Sequence, residues 1–184
     1  MSTPEETLAW TGVPVPQALQ GLSPSELQAV ADYTRAVIDE KTDGFNELYH
    51  AIGMIVKYIP NFIVVPLMVD HIRPQIAAGV CRTMGADQAT NYANDLPVEY
   101  FSEVSKHLDH VLMAEIFEKM KRSQAEKVIQ HELRNHLGNM LDIAAHLGNR
   151  LLKFIAGKVT LPERLEELQS HPQRDIIEKI RALQ

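Results

Sequence analysis

The sequence has one cysteine, one tryptophan and few other aromatic residues, and these shortages exclude some kinds of protein. A single cysteine, Cys81, cannot form a disulfide within the chain, so noncovalent packing has to hold the fold together. Aromatic residues make up 6% of the 184 residues. Because β-strands draw on aromatic and β-branched residues, an apolar surface made mostly of leucine, isoleucine, alanine and methionine favours helices.

Signatures of catalysis are also missing. The sequence has no glycine-rich phosphate loop and no Gly-x-Ser-x-Gly elbow of a serine hydrolase. The stretch His131–His136 resembles a zinc-protease helix, but its histidines are five residues apart, and that site needs a spacing of four. Cys81 lies in an apolar stretch without an identifiable base, which favours a small buried side chain over a nucleophile. We expect a protein that is not an enzyme and binds no cofactor.

Charge argues against nucleic acid as a partner. The net charge is −6, and the one compact basic run consists of Lys119, Lys121 and Arg122. Glu115 and Glu118 precede Lys119 and Arg122 by four residues, which predicts ion pairs along a solvated helix face rather than a phosphate-binding patch. The acidic start of the chain lacks the layout of a secretory signal, so we expect a cytoplasmic protein.

The one long apolar region, residues 51–69, is interrupted. Lys57 is its only charged residue, but Pro60, Asn61 and Pro66 also break the run. A membrane-spanning helix needs about 20 predominantly apolar residues in succession. We therefore predict two consecutive buried helices, Phe45–Tyr58 and Pro60–Ile72, and no stable membrane insertion.

The sequence does contain a two-helix unit that is written twice between residues 69 and 133. A shift of 36 residues places Val69–Asn94 on Ser105–Gln130, and a weaker third copy begins at His146 with a spacing of 39. Five identities carry the first match: His71 with His107, Ala78 with Ala114, Met84 with Met120, Gln88 with Gln124, and Ala89 with Ala125. A fixed period of this size is typical of stacked helical hairpins, and chance similarity between amphipathic helices is the alternative.

Capping patterns divide the chain further. Ser23-Pro24-Ser25-Glu26 is the clearest helix start, because it combines a capping serine with proline and glutamate at their preferred positions. Similar patterns begin at Ser123, Thr160 and Ser170. Residues 1–22, broken by glycine and proline, are predicted to form an extended N-terminal arm, and residues 23–184 a single α-helical repeat domain. The final segment, Gln173–Leu183, predicts an amphipathic helix whose apolar stripe packs on the end of the stack or on another subunit.

Two stretches inside the repeats resemble a known family. Leu108–Met120 (LDHVLMAEIFEKM) and Gln124–Ile129 (QAEKVI) are similar to the helical repeats in the soluble N-terminal domain of MgtE-type magnesium transporters, and to the superhelical repeats of the flagellar rotor protein FliG. The resemblance covers about residues 59–156 and implies an all-α, right-handed superhelical stack of short helical hairpins, used mostly for protein contact. The transporter domain senses magnesium through clustered acids, and no such residue is carried over to this sequence.

Histidines are the remaining candidates for chemistry. His107 and His110 are close enough to share one side of a turn, but a metal site would need a further ligand. Three acids precede a histidine by four residues, in the pairs Glu103/His107, Glu132/His136 and Asp142/His146. Each pair fits either a carboxylate that orients a metal ligand or a plain hydrogen bond along a helix. We predict no metal site, with His107 and His110 as the weak candidates.

Three functions follow from these observations. The first is a non-enzymatic protein–protein interaction or assembly module, which binds a protein partner or a second copy of itself. The alternative is a metal- or small-molecule-responsive helical module, with or without catalysis, built on His107, His110 and nearby carboxylates. A third is a carrier for an apolar ligand that uses the methionine- and isoleucine-rich middle of the chain.

Overall fold

The computed structural model describes residues 3–159 and 173–184, and every regular element in these ranges is a helix. This confirms the predicted all-α class for the described residues. Two short 3-10 turns, Ala9–Thr11 and Gln17–Leu19, lie near the start of the chain. The α-helices are α1 (Pro4–Leu8), α2 (Pro24–Thr42), α3 (Phe45–Val56), α4 (Asn61–His71), α5 (Pro74–Ala93), α6 (Val98–Ser105), α7 (His110–Lys119), α8 (Arg122–Asn135), α9 (Leu137–Ala144), α10 (Asn149–Ala156) and α11 (Arg174–Arg181).

Contacts divide the chain into two compact units, Met1–Phe45 and Asn46–Gln184. In the first unit, Leu8 of α1 packs with Leu27 and Ala31 of α2 in a small buried core. The predicted helix start at Ser23 is confirmed, because its hydroxyl accepts the Glu26 N–H while Glu26 accepts the Ser23 N–H. These contacts group α2 with the residues before it, whereas the sequence predicts α2 as part of a domain over 23–184.

The second unit has one continuous apolar core. Its fully buried members include Phe117, Ile129, Leu152 and Ile177, which come from four different helices. The contacts follow chain order: α5 packs on α6 and α7, α6 on α8, α7 and α8 on α9, and α11 on α9 and α10. Ile176, Ile177 and Ile180 of α11 are buried. The predicted amphipathic last helix is therefore confirmed, and the chain itself covers its apolar stripe.

Helix starts in the second unit recur at similar spacings. α7 begins 36 residues after α5, and α6 begins 37 residues after α4. α9 and α10 begin 39 residues after α6 and α7, respectively. α5 is kinked at Gly85, whose φ of 75° only glycine adopts without strain. The right-handed stacking of 36-residue repeats stays a prediction.

The side chains matched by the repeat share only part of their environments. Ala78 and Ala114 are both buried, as are Ala89 and Ala125. Ile76, in contrast, is 39% exposed, while its counterpart Leu112 packs against the core. The two copies thus agree at their small residues and differ at this large one.

The predicted cap at Ser123 is wrong. α8 begins one residue earlier, at Arg122, and Lys121 occupies the cap position without a side-chain hydrogen bond. The Lys121 N–H instead donates to the Asn94 side-chain oxygen at 2.7 Å, and Glu126 accepts from the Arg122 guanidinium. A tertiary contact therefore replaces the local cap. The helix starts predicted at Thr160 and Ser170 lie outside the described residues.

Candidate functional site

Helices α3 and α4 are mostly exposed, although both are rich in apolar residues. Gly53 is the buried residue of α3 and Val64 that of α4. The predicted existence of two consecutive helices is confirmed, but the prediction that they are buried is wrong. Both helices are apolar on more than one side, so covering the protein interior uses only part of their apolar surface.

The outward-facing apolar side chains of α3 and α4 form what we call the outer surface. Its large members, all more than a third exposed, are Leu48, Met54, Ile55, Tyr58, Phe62, Ile63 and Leu67. Leu48 and Ile55 are seven residues apart, and Ile63 and Leu67 are four apart, so each pair lies on one helix face. Glu47 and Lys57 are the charged residues between positions 45 and 69. Apolar surface with so little charge typically marks a binding site.

An apolar cavity of about 240 Å³ lies on the inner side of these two helices. Side chains from five helices line it, among them Ile52 of α3, Met68 of α4, Val80 of α5, Phe101 of α6 and Met113 of α7. The polar groups of the wall are engaged elsewhere. The Ser105 hydroxyl donates to the Ser102 carbonyl oxygen at 2.8 Å, and the Tyr92 hydroxyl donates to the Val56 carbonyl oxygen at 2.8 Å. The wall therefore offers a ligand apolar contact rather than hydrogen bonds.

Hydrogen bonds and one close contact hold α3 and α4 over the cavity. Besides Tyr92, Gln88 donates to the Gly53 carbonyl oxygen at 3.2 Å. The Asn61 amide donates to the Asp95 carboxylate at 2.7 Å, and the Tyr100 hydroxyl donates to the Ile72 carbonyl oxygen at 2.8 Å. Burial raises the pKa of the Tyr92 and Tyr100 hydroxyls, so both donate as neutral phenols.

Tyr49 of α3 provides the close contact. Its ring lies over Gly79 of α5, where a Cβ atom would come within 2.5 Å of the ring. Only glycine leaves enough room for this approach. The position of α3 on α5 thus depends on a residue whose role is invisible in the hydrophobic pattern.

Cys81 also lines the cavity. Desolvation by burial raises the pKa of its thiol to about 12, so the thiolate is scarce at neutral pH. This agrees with the prediction of a small apolar side chain.

The structure does not bring the candidate histidines together with acids. His107 is exposed after the end of α6, and His110 is the first residue of α7, behind the capping residue Asp109. Among the described residues, no group of three or more histidine, cysteine, aspartate or glutamate side chains is arranged to hold a metal ion. A metal-responsive function based on His107 and His110 stays a prediction without a ligand set.

Two of the three acid–histidine pairs have other partners. Glu103 binds Lys106 at 2.6 Å, and this hydrogen bond is the main cause that lowers the pKa of Glu103. Asp142 accepts from the Gln173 amide at 2.6 Å. In the third pair, His136 Nδ1 lies 3.5 Å from the Glu132 carboxylate.

Glu132 belongs to a buried polar cluster that the sequence analysis missed. Its carboxylate is fully buried, accepts from the Asn139 amide at 3.4 Å and lies 3.3 Å from the Ser105 hydroxyl oxygen, whose proton it shares with the closer Ser102 carbonyl oxygen. The Ser102 hydroxyl lies 3.3 Å from His136 Nδ1, the same ring nitrogen that faces Glu132. In a catalytic triad the serine and the acid meet different ring nitrogens. The arrangement therefore satisfies a buried carboxylate and does not form a proton relay.

Two cations of the basic run at 119–122 form ion pairs, but not with the predicted partners. Lys119 pairs with Asp87, and Arg122 pairs with Glu126 at 2.6 Å. Glu118 pairs with Arg150 at 3.3 Å. The predicted pair of Glu118 with Arg122 is wrong, because Glu118 binds Arg150 and Arg122 binds Glu126. Lys119 binds Asp87, and Glu115 adds a smaller electrostatic attraction that also raises the pKa of Lys119.

No helix in residues 3–159 and 173–184 has the length and apolar character needed to cross a bilayer.

In comparisons with known proteins, no protein-family model, curated protein or solved structure matches the chain.

Proposed function

We propose that this chain is a non-enzymatic assembly module in which the outer surface of α3 and α4 binds a second copy of the chain. The observation that carries the proposal is the exposure of large apolar side chains on two neighbouring helices, with Phe62 78% exposed. Fully burying one such side chain stabilises a protein by about 1.5–3 kcal/mol, so covering several of them would drive association.

The near absence of charge argues for a second copy as the partner. A symmetric dimer places the same patch on both sides of the interface, so the patch has to be complementary to itself. Like charges facing each other would oppose such pairing, and between positions 45 and 69 the chain carries Glu47 and Lys57, of opposite sign. An apolar surface with so little charge can face a copy of itself without repulsion between like charges.

The proposal includes the predicted stacking of helical hairpins. Helix starts that recur after 36, 37 and 39 residues support it, as does the order of helix contacts along the chain. The resemblance to the repeats of MgtE-type transporters and FliG points the same way, because stacks of this kind serve mostly for protein contact.

Size-exclusion chromatography with light scattering tests the proposal. The wild-type chain should have a mass above its monomer mass of 20.7 kDa, and the fraction of assembled chain should increase with concentration. Phe62→Asp and Ile55→Asp should shift the protein to the monomer, because each places a charge in an apolar interface.

Val111→Asp is the matched control, since Val111 is 51% exposed and lies on α7, outside the outer surface. It should assemble like the wild type. A wild-type chain that stays monomeric up to about 200 µM, where binding of even about −5 kcal/mol would show, contradicts the proposal. Equal assembly of Phe62→Asp and wild type also contradicts it, as does flotation with lipid vesicles in place of self-association.

A further inference from the structure

The cavity behind α3 and α4 is almost entirely apolar, and the hydroxyl protons of its wall are already donated to protein oxygens. The hydroxyls of Ser105 and Tyr92 already donate to main-chain carbonyl oxygens. Among the described residues, no buried side-chain nitrogen or oxygen lacks a hydrogen-bond partner. A ligand with polar groups along its length would lose its bonds to water and gain none here, which excludes sugars, nucleotides and peptides.

The cavity has a buried floor and an exposed mouth. Met113 and Ile116, at 0% and 1% exposure, form part of the floor. Among the lining residues, Leu67, Ile72 and Ile76 are more than a third exposed, so the cavity reaches the surface beside them. A ligand that enters here keeps one end in water and the rest in an apolar environment.

The volume limits the size of the buried part. A cavity of about 150 Å³ lined by similar side chains holds benzene, which has six carbon atoms. By proportion, a cavity of 240 Å³ holds roughly ten carbon atoms. From the wall, the exposed mouth and this volume, we infer that the cavity binds one unbranched alkyl chain of about ten carbons, whose polar end stays at the mouth near Ile72.

Calorimetric titration of the full chain with primary alcohols tests the inference. Affinity should increase about fourfold with each methylene from hexanol to decanol, because each buried methylene contributes a similar transfer free energy. It should then level off for dodecanol and tetradecanol, whose extra methylenes stay in water. An affinity that keeps increasing would indicate adsorption to exposed apolar surface and would overturn the inference, as would tighter binding of 1-naphthol than of decanol.

A variant at the mouth separates the cavity from the rest of the surface. Ile76→Trp should reduce decanol affinity at least tenfold, because the larger ring obstructs the entrance. The control is Val111→Trp, since Val111 is 51% exposed on α7 and does not line the cavity. It should bind decanol like the wild type. Equal affinities of both variants and the wild type contradict the site.

Cys81 gives a second readout that needs no variant. Its thiol lines the cavity, so saturating decanol should slow its alkylation in the wild-type chain several-fold. An unchanged rate would overturn the inference even if Ile76→Trp failed to fold. The cavity mouth and the outer surface share Leu67, but Phe62 lies outside the cavity wall. Phe62→Asp should therefore lose self-association and keep decanol binding.

Discussion

At the scale of single residues, Cys81 links the cavity to the pH dependence of stability. Burial raises the pKa of its thiol from 9.0 to about 12. The stability that the buried, neutral thiol contributes is therefore fully present below pH 9. It is lost as the pH rises towards 12, because the thiol ionises at a lower pH in the unfolded chain than in the folded one. Between pH 9 and 10.5, ionisation of this thiol in the unfolded chain should lower the free energy of unfolding by about 1.5 kcal/mol.

Urea unfolding of the wild type and Cys81→Ala between pH 8 and 10.5 measures this loss. The wild type should lose stability more steeply than the variant. Part of the decrease should persist in Cys81→Ala, because burial also raises the pKa of Tyr92 and Tyr100. Parallel profiles would show that the Cys81 thiol is not desolvated in the folded chain.

The buried carboxylate of Glu132 is a second test at this scale. Glu132→Ala removes the acceptor of the Asn139 amide and leaves a cavity in place of the buried side chain, so unfolding free energy should decrease by about 1–3 kcal/mol. Glu132→Gln keeps an acceptor oxygen, so its unfolding free energy should decrease by clearly less than that of Glu132→Ala. Chemical denaturation followed by circular dichroism measures both variants, and a loss below about 1 kcal/mol for Glu132→Ala would refute a structural role.

At the scale of elements, the position of α3 on α5 depends on the contact between Tyr49 and Gly79. Gly79→Ala would push its new methyl group into the Tyr49 ring, so it should destabilise the chain by about 1–3 kcal/mol. It should also speed hydrogen exchange within α3. Gly138→Ala is the control, because nothing lies within 4 Å of its added Cβ, and alanine there should stabilise α9 slightly. Equal behaviour of the two variants would rule out the close packing of α3.

Helix starts set by local chemistry were predictable, and those set by tertiary contacts were not. Ser23 and Glu26 cap α2 with hydrogen bonds inside four residues, so the sequence alone specifies them. At α8, Asn94 binds the cap residue Lys121 from 27 positions away, and the local capping pattern at Ser123 loses to it. The ion pair of Lys119 with Asp87 displaced a predicted local pair in the same way.

At the scale of the whole molecule, the helical class followed from composition and periodicity, but the candidate site did not. The apolar run that forms α3 and α4 is expected to be buried. The sequence does not show whether the residues that bury it belong to the same chain or to another one. The cavity has no sequence signal, because its wall combines residues from positions 52 to 116 that meet only after five helices have packed. The sequence suggested a carrier for an apolar ligand, but it did not show where in the fold the cavity lies.

A second copy that covers the outer surface of α3 and α4 would slow amide hydrogen exchange in these two helices. Hydrogen exchange of the purified chain at about 1 µM and about 200 µM, a range that spans common affinities for self-association, measures this protection. Exchange in α3 and α4 should be slower at the higher concentration, exchange in α10 should be unchanged, and Phe62→Asp should show no concentration dependence. Identical exchange of α3 and α4 at both concentrations in the wild type would contradict the proposed assembly.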